Sequence, residues 1–151
     1  MKTENVWDYP RPAICEPFAG SIRVIHAGIV LAETTRAFRV LETSHPPTYY
    51  LPPQSITLGR LQRNGRVSGC EWKGQASYFD LDEISNVAWC YDSPTKAFVP
   101  MAGFLSFYAS KVDECWVNEE RIQPQEGDFY GGWITSNLTG PFKGGPGTMG
   151  W

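Results

Sequence analysis

The sequence predicts a mainly β protein of one compact domain, and three observations carry that prediction. Short runs alternate polar and apolar residues, the period at which a strand sends successive side chains to opposite faces. Gly, Pro, Asn and Asp cut those runs at short intervals, as in chains built from many short strands. At 151 residues, 42% hydrophobic and 19% charged, the chain is long enough to bury one core without staples.

Residues 1–20 read as a polar, aromatic and proline-rich extended segment, and residues 21–123 as the core. Ser21 to Ile25 alternates, His26-Ala27-Gly28 turns, and Ile29 to Glu33 returns as the second arm of a hairpin. Ala37 to Glu42 alternates again, with a short helix as its rival because Ala, Arg and Leu favour helix. Pro46-Pro47 and Pro52-Pro53 bracket a short strand at Tyr49-Tyr50-Leu51, since proline lacks a ladder donor. Ser55 to Leu61 is a short helix or turn with Ser55 as cap. Asn64-Gly65-Arg66 is a turn signal.

Glu71 to Leu81 reads as one long strand interrupted at Gly74 by a bulge or a close backbone approach. Asp82 to Asn86 turns the chain into a strand from Val87 to Tyr91, and Asp92-Ser93-Pro94 turns it again. Phe104, Phe107 and Tyr108 share a helical face, which predicts one helical turn. Val112 to Val117 is a strand, followed by a hairpin turn from Asn118 to Arg121. Over residues 124–151 the pattern fails. This Gly-rich, aromatic tail carries Trp133, Phe142 and Trp151 as anchors, to dock on its own core or on a second copy in a homodimer.

A net charge of −3 and a pI near 5.4 give no basic field for a nucleic-acid polymer or an anionic membrane surface. No apolar run reaches bilayer length. The first residues lack a signal-peptide pattern, so a cytoplasmic setting is expected. The four cysteines, at 15, 70, 90 and 115, are then free thiols.

The chemistry-bearing residues concentrate around Cys70 to Phe79. Lys73, flanked by Trp72 and Tyr78, either holds an anionic oxygen or serves as a base. Its competing role is a snorkelling sheet-edge lysine paired with Glu42 or Glu71. Glu42 ends an apolar strand, where a carboxylate needs a partner. His45 is the one candidate proton shuttle, against a plain surface-loop histidine; His26 falls in a turn. Alternation sets Cys70, Trp72 and Gly74 on one strand face and Lys73 on the other, which favours an inert thiol over a nucleophile. By the same rule Cys90 faces away from Trp89 and Tyr91. A metal site from Cys70, Cys90 and a histidine lacks ligand spacing, so neither zinc nor any other cofactor is predicted.

Tyr50, Tyr78, Trp89 and Tyr91 are candidates to line an aromatic pocket, with an aromatic sheet core as the alternative. The chain has no G-x-S-x-G, no H-E-x-x-H and no phosphate-binding G-x-x-x-x-G-K-[ST]. Lys143 to Gly147 is Gly-rich, but no helix follows to present amides to a phosphate.

Several blocks, in order, resemble a known family. Glu42-Thr43-Ser44-His45-Pro46-Pro47-Thr48-Tyr49-Tyr50-Leu51-Pro52 resembles an E-t-x-x-P-P-x-Y-Y-l-P block of the domain of unknown function 427 family. Cys70-Glu71-Trp72-Lys73-Gly74-Gln75-Ala76-Ser77-Tyr78 is similar to its C-x-[YW]-K-G-x-A-x-Y block. Ala88-Trp89-Cys90-Tyr91 with Pro94, then Gly103 with Phe107-Tyr108, resemble its later elements. The resemblance covers roughly Ile22 to Val117. It implies a bacterial β-tent-like domain, two antiparallel sheets meeting at an angle with one or two short helical turns, and no established activity. The tail from Gly127 resembles the extension of a cyanobacterial-type subgroup. Other β-tent families hold zinc through paired C-x-x-C knuckles, and this chain has no C-x-x-C.

Two functions of different class follow. One is a small-molecule-binding or interaction module with an aromatic-lined cleft, recognising its ligand through Lys73 and Glu42. The alternative is an enzyme acting on a nucleotide or other phosphorylated metabolite, following a nucleotidyltransferase label that some relatives carry, with Lys73 as the electrostatic group and Glu42 or His45 as acid–base. Phosphoryl transfer ordinarily needs carboxylates arranged for Mg²⁺ and a phosphate cradle. Asp80, Asp82 and Asp92 lie mostly near turns, which favours the binding module.

Overall fold

Proline pairs and left-handed turn residues cut the chain into short strands, most of which pair with a near neighbour in sequence. The computed structural model describes residues 1–70, 72–127 and 129–151. Its strands begin with β1 (Glu4–Asn5), β2 (Ile14–Pro17), β3 (Ile22–His26), β4 (Ile29–Thr34), β5 (Phe38–Leu41) and β6 (Thr48–Tyr50). A central group follows: β7 (Leu61–Cys70), β8 (Gly74–Leu81), β9 (Ile84–Cys90) and β10 (Leu105–Phe107). The rest are β11 (Glu114–Val117), β12 (Glu120–Arg121), β13 (Gln123–Pro124), β14 (Trp133–Ile134) and β15 (Leu138–Thr139). Short 3-10 turns, such as Pro53–Ser55 and Lys96–Met101, punctuate them.

Three antiparallel sheets carry most of the fold, in the orders β10-β9-β8-β7, β12-β11-β3-β4 and β2-β5-β6. Two small pairs, β13-β14 and the parallel β1-β15, tie down the chain ends. The expected pair of sheets is therefore corrected to several small ones. The cause is local. β6 has three residues because prolines on both sides deny it further ladder donors. It reaches the four-stranded sheet through one bridge, Leu51 to Leu105, with N···O distances of 2.7 and 2.9 Å.

Two further expectations are corrected together. Asn64-Gly65-Arg66 does not reverse the chain; β7 absorbs it as a bulge, with register shifting between Arg63 and Val67. The reversal comes later, where Cys70 pairs with Gly74 at φ +113°. The run from residue 71 to 81 is therefore not one strand, and Glu71 lies outside the described residues. Thr95 fastens this reversal, its N–H donating to the Lys73 carbonyl at 2.9 Å. Residues 104–108 form no helical turn either. Leu105–Phe107 extends as β10 because β9 offers it a ladder, with Leu105 opposite Cys90 and Phe107 opposite Ala88.

The β7–β10 sheet is apolar on both faces. From β8, Phe79 and Leu81 enter the main core, while Ala76 and Tyr78 enter a second, aromatic cluster. From β9, Ala88 and Cys90 take the first side and Trp89 the second. A sheet with two apolar faces needs cover on both. The main core, with Ile22, Val24, Leu31, Val117 and Trp133, covers one. On the other face, Phe98, Met101 and Tyr108 pack against Trp89 and Tyr91, and the tail closes over them.

The tail is fastened to its own core by Trp133. That side chain is fully buried, its backbone N–H donates to the Pro47 carbonyl at 2.8 Å, and its indole N–H to the Phe107 carbonyl at 3.1 Å. Burying such a ring contributes about 3 kcal/mol or more.

At the other end of the chain, Arg39 ties the N-terminal segment to the third sheet. Its guanidinium grips both Glu4 oxygens at 3.0 Å and Glu16 at 2.7 Å. Tyr9 donates to the same Glu4 carboxylate at 2.5 Å.

Candidate functional site

The cleft is assembled from four segments, and the first of them starts where β5 ends. His45 N–H closes a turn on the Glu42 carbonyl at 3.0 Å, with Ser44 at φ +71° between them. This turn sends both side chains the same way, with His45 Nε2 3.7 Å from Glu42 Oε2. After Pro46-Pro47 the chain re-enters as β6. There alternation puts Tyr49 in the main core and Tyr50 in the aromatic cluster.

Tyr50 is 1% exposed, and its hydroxyl accepts from the Trp89 indole N–H at 3.1 Å. Trp89 lies edge-on to Tyr50 at 6.1 Å and tilted against Tyr108 at 4.5 Å. Tyr91 stands 6.3 Å from Tyr50. Tyr78 shares a 2.7 Å hydrogen bond with Ser68, and Arg66 covers its ring at 5.0 Å. Burial raises the Tyr50, Tyr91 and Tyr108 phenols well above the ordinary tyrosine range. They stay protonated, serving as neutral polar groups and apolar walls.

The reversal between Cys70 and Gly74 supplies the third segment. It brings Lys73 Nζ to 3.9 Å from Cys70 Sγ, so the two residues that strand alternation would separate share one side. Cys90 does not join them. It packs in the main core while Cys70 packs against the aromatic cluster, and burial raises the Cys90 thiol to about 11. Among the described residues, no three His, Cys, Asp or Glu side chains sit close enough to share a metal ion.

The tail is the fourth segment, and its part in the cleft was not foreseen. Gln125, Phe129, Tyr130, Gly131 and Lys143 form a wall of the cleft. Tyr130 meets the His45 ring edge-on at 5.1 Å, and Lys143 Nζ lies 5.3 Å from the Tyr130 centroid. Gly131 rests on Trp89 so closely that an added Cβ would come within 2.1 Å of the ring. The sequence signal for this contact was the Gly131-Gly132 pair beside an aromatic, which permits close approach of backbone to ring.

All seven residues singled out for recognition or proton transfer, Glu42, His45, Tyr50, Lys73, Tyr78, Trp89 and Tyr91, line one cavity of about 260 Å³, as does Cys70. Glu42 lies beside His45, with Oε2 3.7 Å from Nε2, and forms no ion pair with Lys73 among the described residues. His45 is not a surface-loop histidine: its side chain is 14% exposed. Burial holds its imidazole below the usual range; Glu42 opposes that shift, while Lys143, Lys73 and Arg11 add to it. Among the described residues, Glu42 is the one carboxylate on the cavity wall, which Lys73 and Lys143 also line. Such a cavity provides flat apolar walls, fixed donors and both signs of charge.

No curated protein matches the chain. Residues 14–118 match a family described as a domain of unknown function (DUF427), and because that match covers more than half of the 151 residues, the chain belongs to the DUF427 family.

Proposed function

We propose that this protein is a small-molecule-binding module whose aromatic cleft takes a compact ligand, with Lys73 and Glu42 as polar recognition groups. The observation that carries this reading is the convergence of three polar and four aromatic side chains on one cavity of about 260 Å³. Ligand pockets commonly span roughly 300–1,000 Å³, so this cleft suits a small ring system rather than an extended one. The rings supply area and shape, and the few polar groups orient the ligand. The reading calls for no metal or cofactor. An enzyme acting on a phosphorylated metabolite is the second reading, favoured by the two ammoniums of Lys73 and Lys143 at the cavity wall.

Thermal-shift titration with nucleotides, amines and aromatic metabolites tests both. A ligand of the native state present at 100 times its Kd adds about 2.7 kcal/mol of stability. The expected result is a hit whose shift vanishes in Lys73→Ala, while the unliganded Tm stays within about 0.5 kcal/mol equivalent. A shift that survives Lys73→Ala removes Lys73 from recognition. Turnover of a nucleotide hit that Lys73→Ala abolishes would instead favour the enzyme.

A further inference from the structure

The cavity wall contains a hydrogen-bond network whose directions can be deduced from backbone chemistry alone. Gln125 is 4% exposed and meets three partners. Its Oε1 accepts from the Gly132 backbone N–H at 3.1 Å. Its Nε2 donates to the Lys143 carbonyl at 2.7 Å and lies 3.2 Å from His45 Nδ1. A backbone N–H only donates and a carbonyl only accepts, so these two partners leave the amide one orientation. One Nε2 hydrogen is then committed to Lys143. The other points at His45 Nδ1, which must offer a lone pair. An imidazole whose Nδ1 accepts carries its proton on Nε2 and is neutral. That Nε2–H faces Glu42 at 3.7 Å, too long for a direct hydrogen bond. The gap lets one oxygen atom bond to both groups at ordinary distances, accepting from His45 and donating to Glu42.

We propose that Gln125 is a positioning residue that holds His45 as the neutral, Nε2-protonated imidazole, so that His45 and Glu42 together select a ligand hydroxyl. A hydroxyl both donates and accepts at one oxygen. A carboxylate cannot donate to Glu42, an ammonium cannot accept from His45, and a hydrocarbon does neither. The aromatic walls hold the ring that carries the hydroxyl. This rests on the cleft being a ligand site, and it adds the functional group the site reads. Gln125 lies outside the family-matched residues 14–118, so in this chain the tail sets the chemistry of a histidine in the family domain. Besides Glu42, the charged groups that act on His45 are Lys143, Lys73 and Arg11. All three are cations and oppose its protonation.

The test is two-bond ¹H–¹⁵N correlation on histidine-labelled protein. The sequence holds two histidines, so His26→Gln leaves His45 as the single imidazole. At pH 7 the spectrum is expected to show a neutral ring with Nε2 protonated. A neutral ring protonated at Nδ1, or an imidazolium, overturns the proposal without any change at Gln125. Gln125→Glu replaces the donor with an acceptor and is expected to move the proton onto Nδ1; an unchanged tautomer in a folded variant also overturns it. Benzyl alcohol, toluene and benzylamine are then titrated while the His45 signals are followed. Benzyl alcohol is expected to bind about tenfold more tightly than either analogue and to shift Nε2. Equal binding of toluene or benzylamine removes the hydroxyl selection and leaves the cleft standing. Binding by none of the three also overturns the hydroxyl selection, while the cleft reading stands or falls on the thermal-shift titration with the wider panel.

Discussion

Replacing Gly131 with alanine asks whether the tail is a wall of the cleft or a loose cover. The added Cβ would lie 2.1, 2.8 and 3.1 Å from three carbons of the Trp89 six-membered ring, well inside van der Waals contact. Trp89 is poorly placed to yield. Its indole N–H is held by Tyr50, and Tyr108 lies 4.5 Å from its ring. The tail is also anchored two residues on by the buried Trp133. Overpacking of this kind costs about 1–3 kcal/mol, and a chain of this length loses roughly 2–4 °C of Tm per kcal/mol. Gly131→Ala is therefore expected to lower Tm by about 2–12 °C, with altered Trp emission and faster proteolysis around residues 126–132. Gly59→Ala is the control, since a Cβ there meets no heavy atom within 4 Å; it should change stability by less than about 0.5 kcal/mol. Urea unfolding of both variants decides the matter. If Gly131→Ala is as stable as Gly59→Ala and resists protease equally, Gly131 does not rest on Trp89.

Trp133→Ala should cost about 3–5 kcal/mol and free the tail, seen as a lower urea midpoint and cleavage between the core and residue 133. Arg39→Ala strips Glu4 and Glu16 of their shared cation and should cost about 2 kcal/mol, reduced from the buried-pair range because the carboxylates are partly exposed. Arg39→Lys should not restore it, since an ammonium lacks the two-pronged grip on Glu4; full restoration by lysine would contradict that account. Acid should act in two stages. Burial lowers the His45 pKa in the folded protein, so the unfolded imidazole protonates first and stability falls as pH drops below about 6.5. For Glu4, burial alone would raise the carboxyl, but hydrogen bonds from Arg39 and Tyr9 outweigh it and hold the group below its usual range. The stability from this group is present above about pH 4 and lost as pH falls further. Tm against pH should show both stages, His45→Gln removing the upper and Glu4→Gln the lower.

What could be read from the sequence was whatever depends on one residue and its near neighbours. Alternation correctly sent Cys90 away from Trp89 and Tyr91, because period two holds from Ala88 to Tyr91, where β9 is paired on both sides. Proline pairs correctly isolated the Tyr50 strand. What could not be read was which glycine reverses the chain. Gly65 and Gly74 both adopt positive φ, +81° and +113°, and both suit a turn or a bulge. The choice is made across the sheet: Asn64 is held by Asp80 and Asn86, and Lys73 by Thr95, partners that no local window contains. The burial of His45 was hidden for a similar reason. Its cover, Tyr130 and Gln125, comes from about 80 residues further along the chain.

The same reversal decides whether Lys73 has a role in the cleft at all. In a continuous strand ending at Leu81, residues 72, 74, 76 and 78 would share a face, and Lys73 would fall with Phe79 on the main-core side. An ammonium there would meet an apolar core and have to snorkel to the sheet edge. With the chain reversing between Cys70 and Gly74, Lys73 instead stands beside the Cys70 thiol on the aromatic side, within reach of the field around His45. Lys73 and Gly74 therefore act as a unit, glycine making the turn and lysine using it. Gly74→Ala should weaken ligand binding nearly as much as Lys73→Ala. Its φ of +113° disfavours any side chain, and a Cβ would also press on the Ser93 carbonyl at 3.4 Å. If Gly74→Ala folds stably and binds as well as the parent, Lys73 is not placed by this turn.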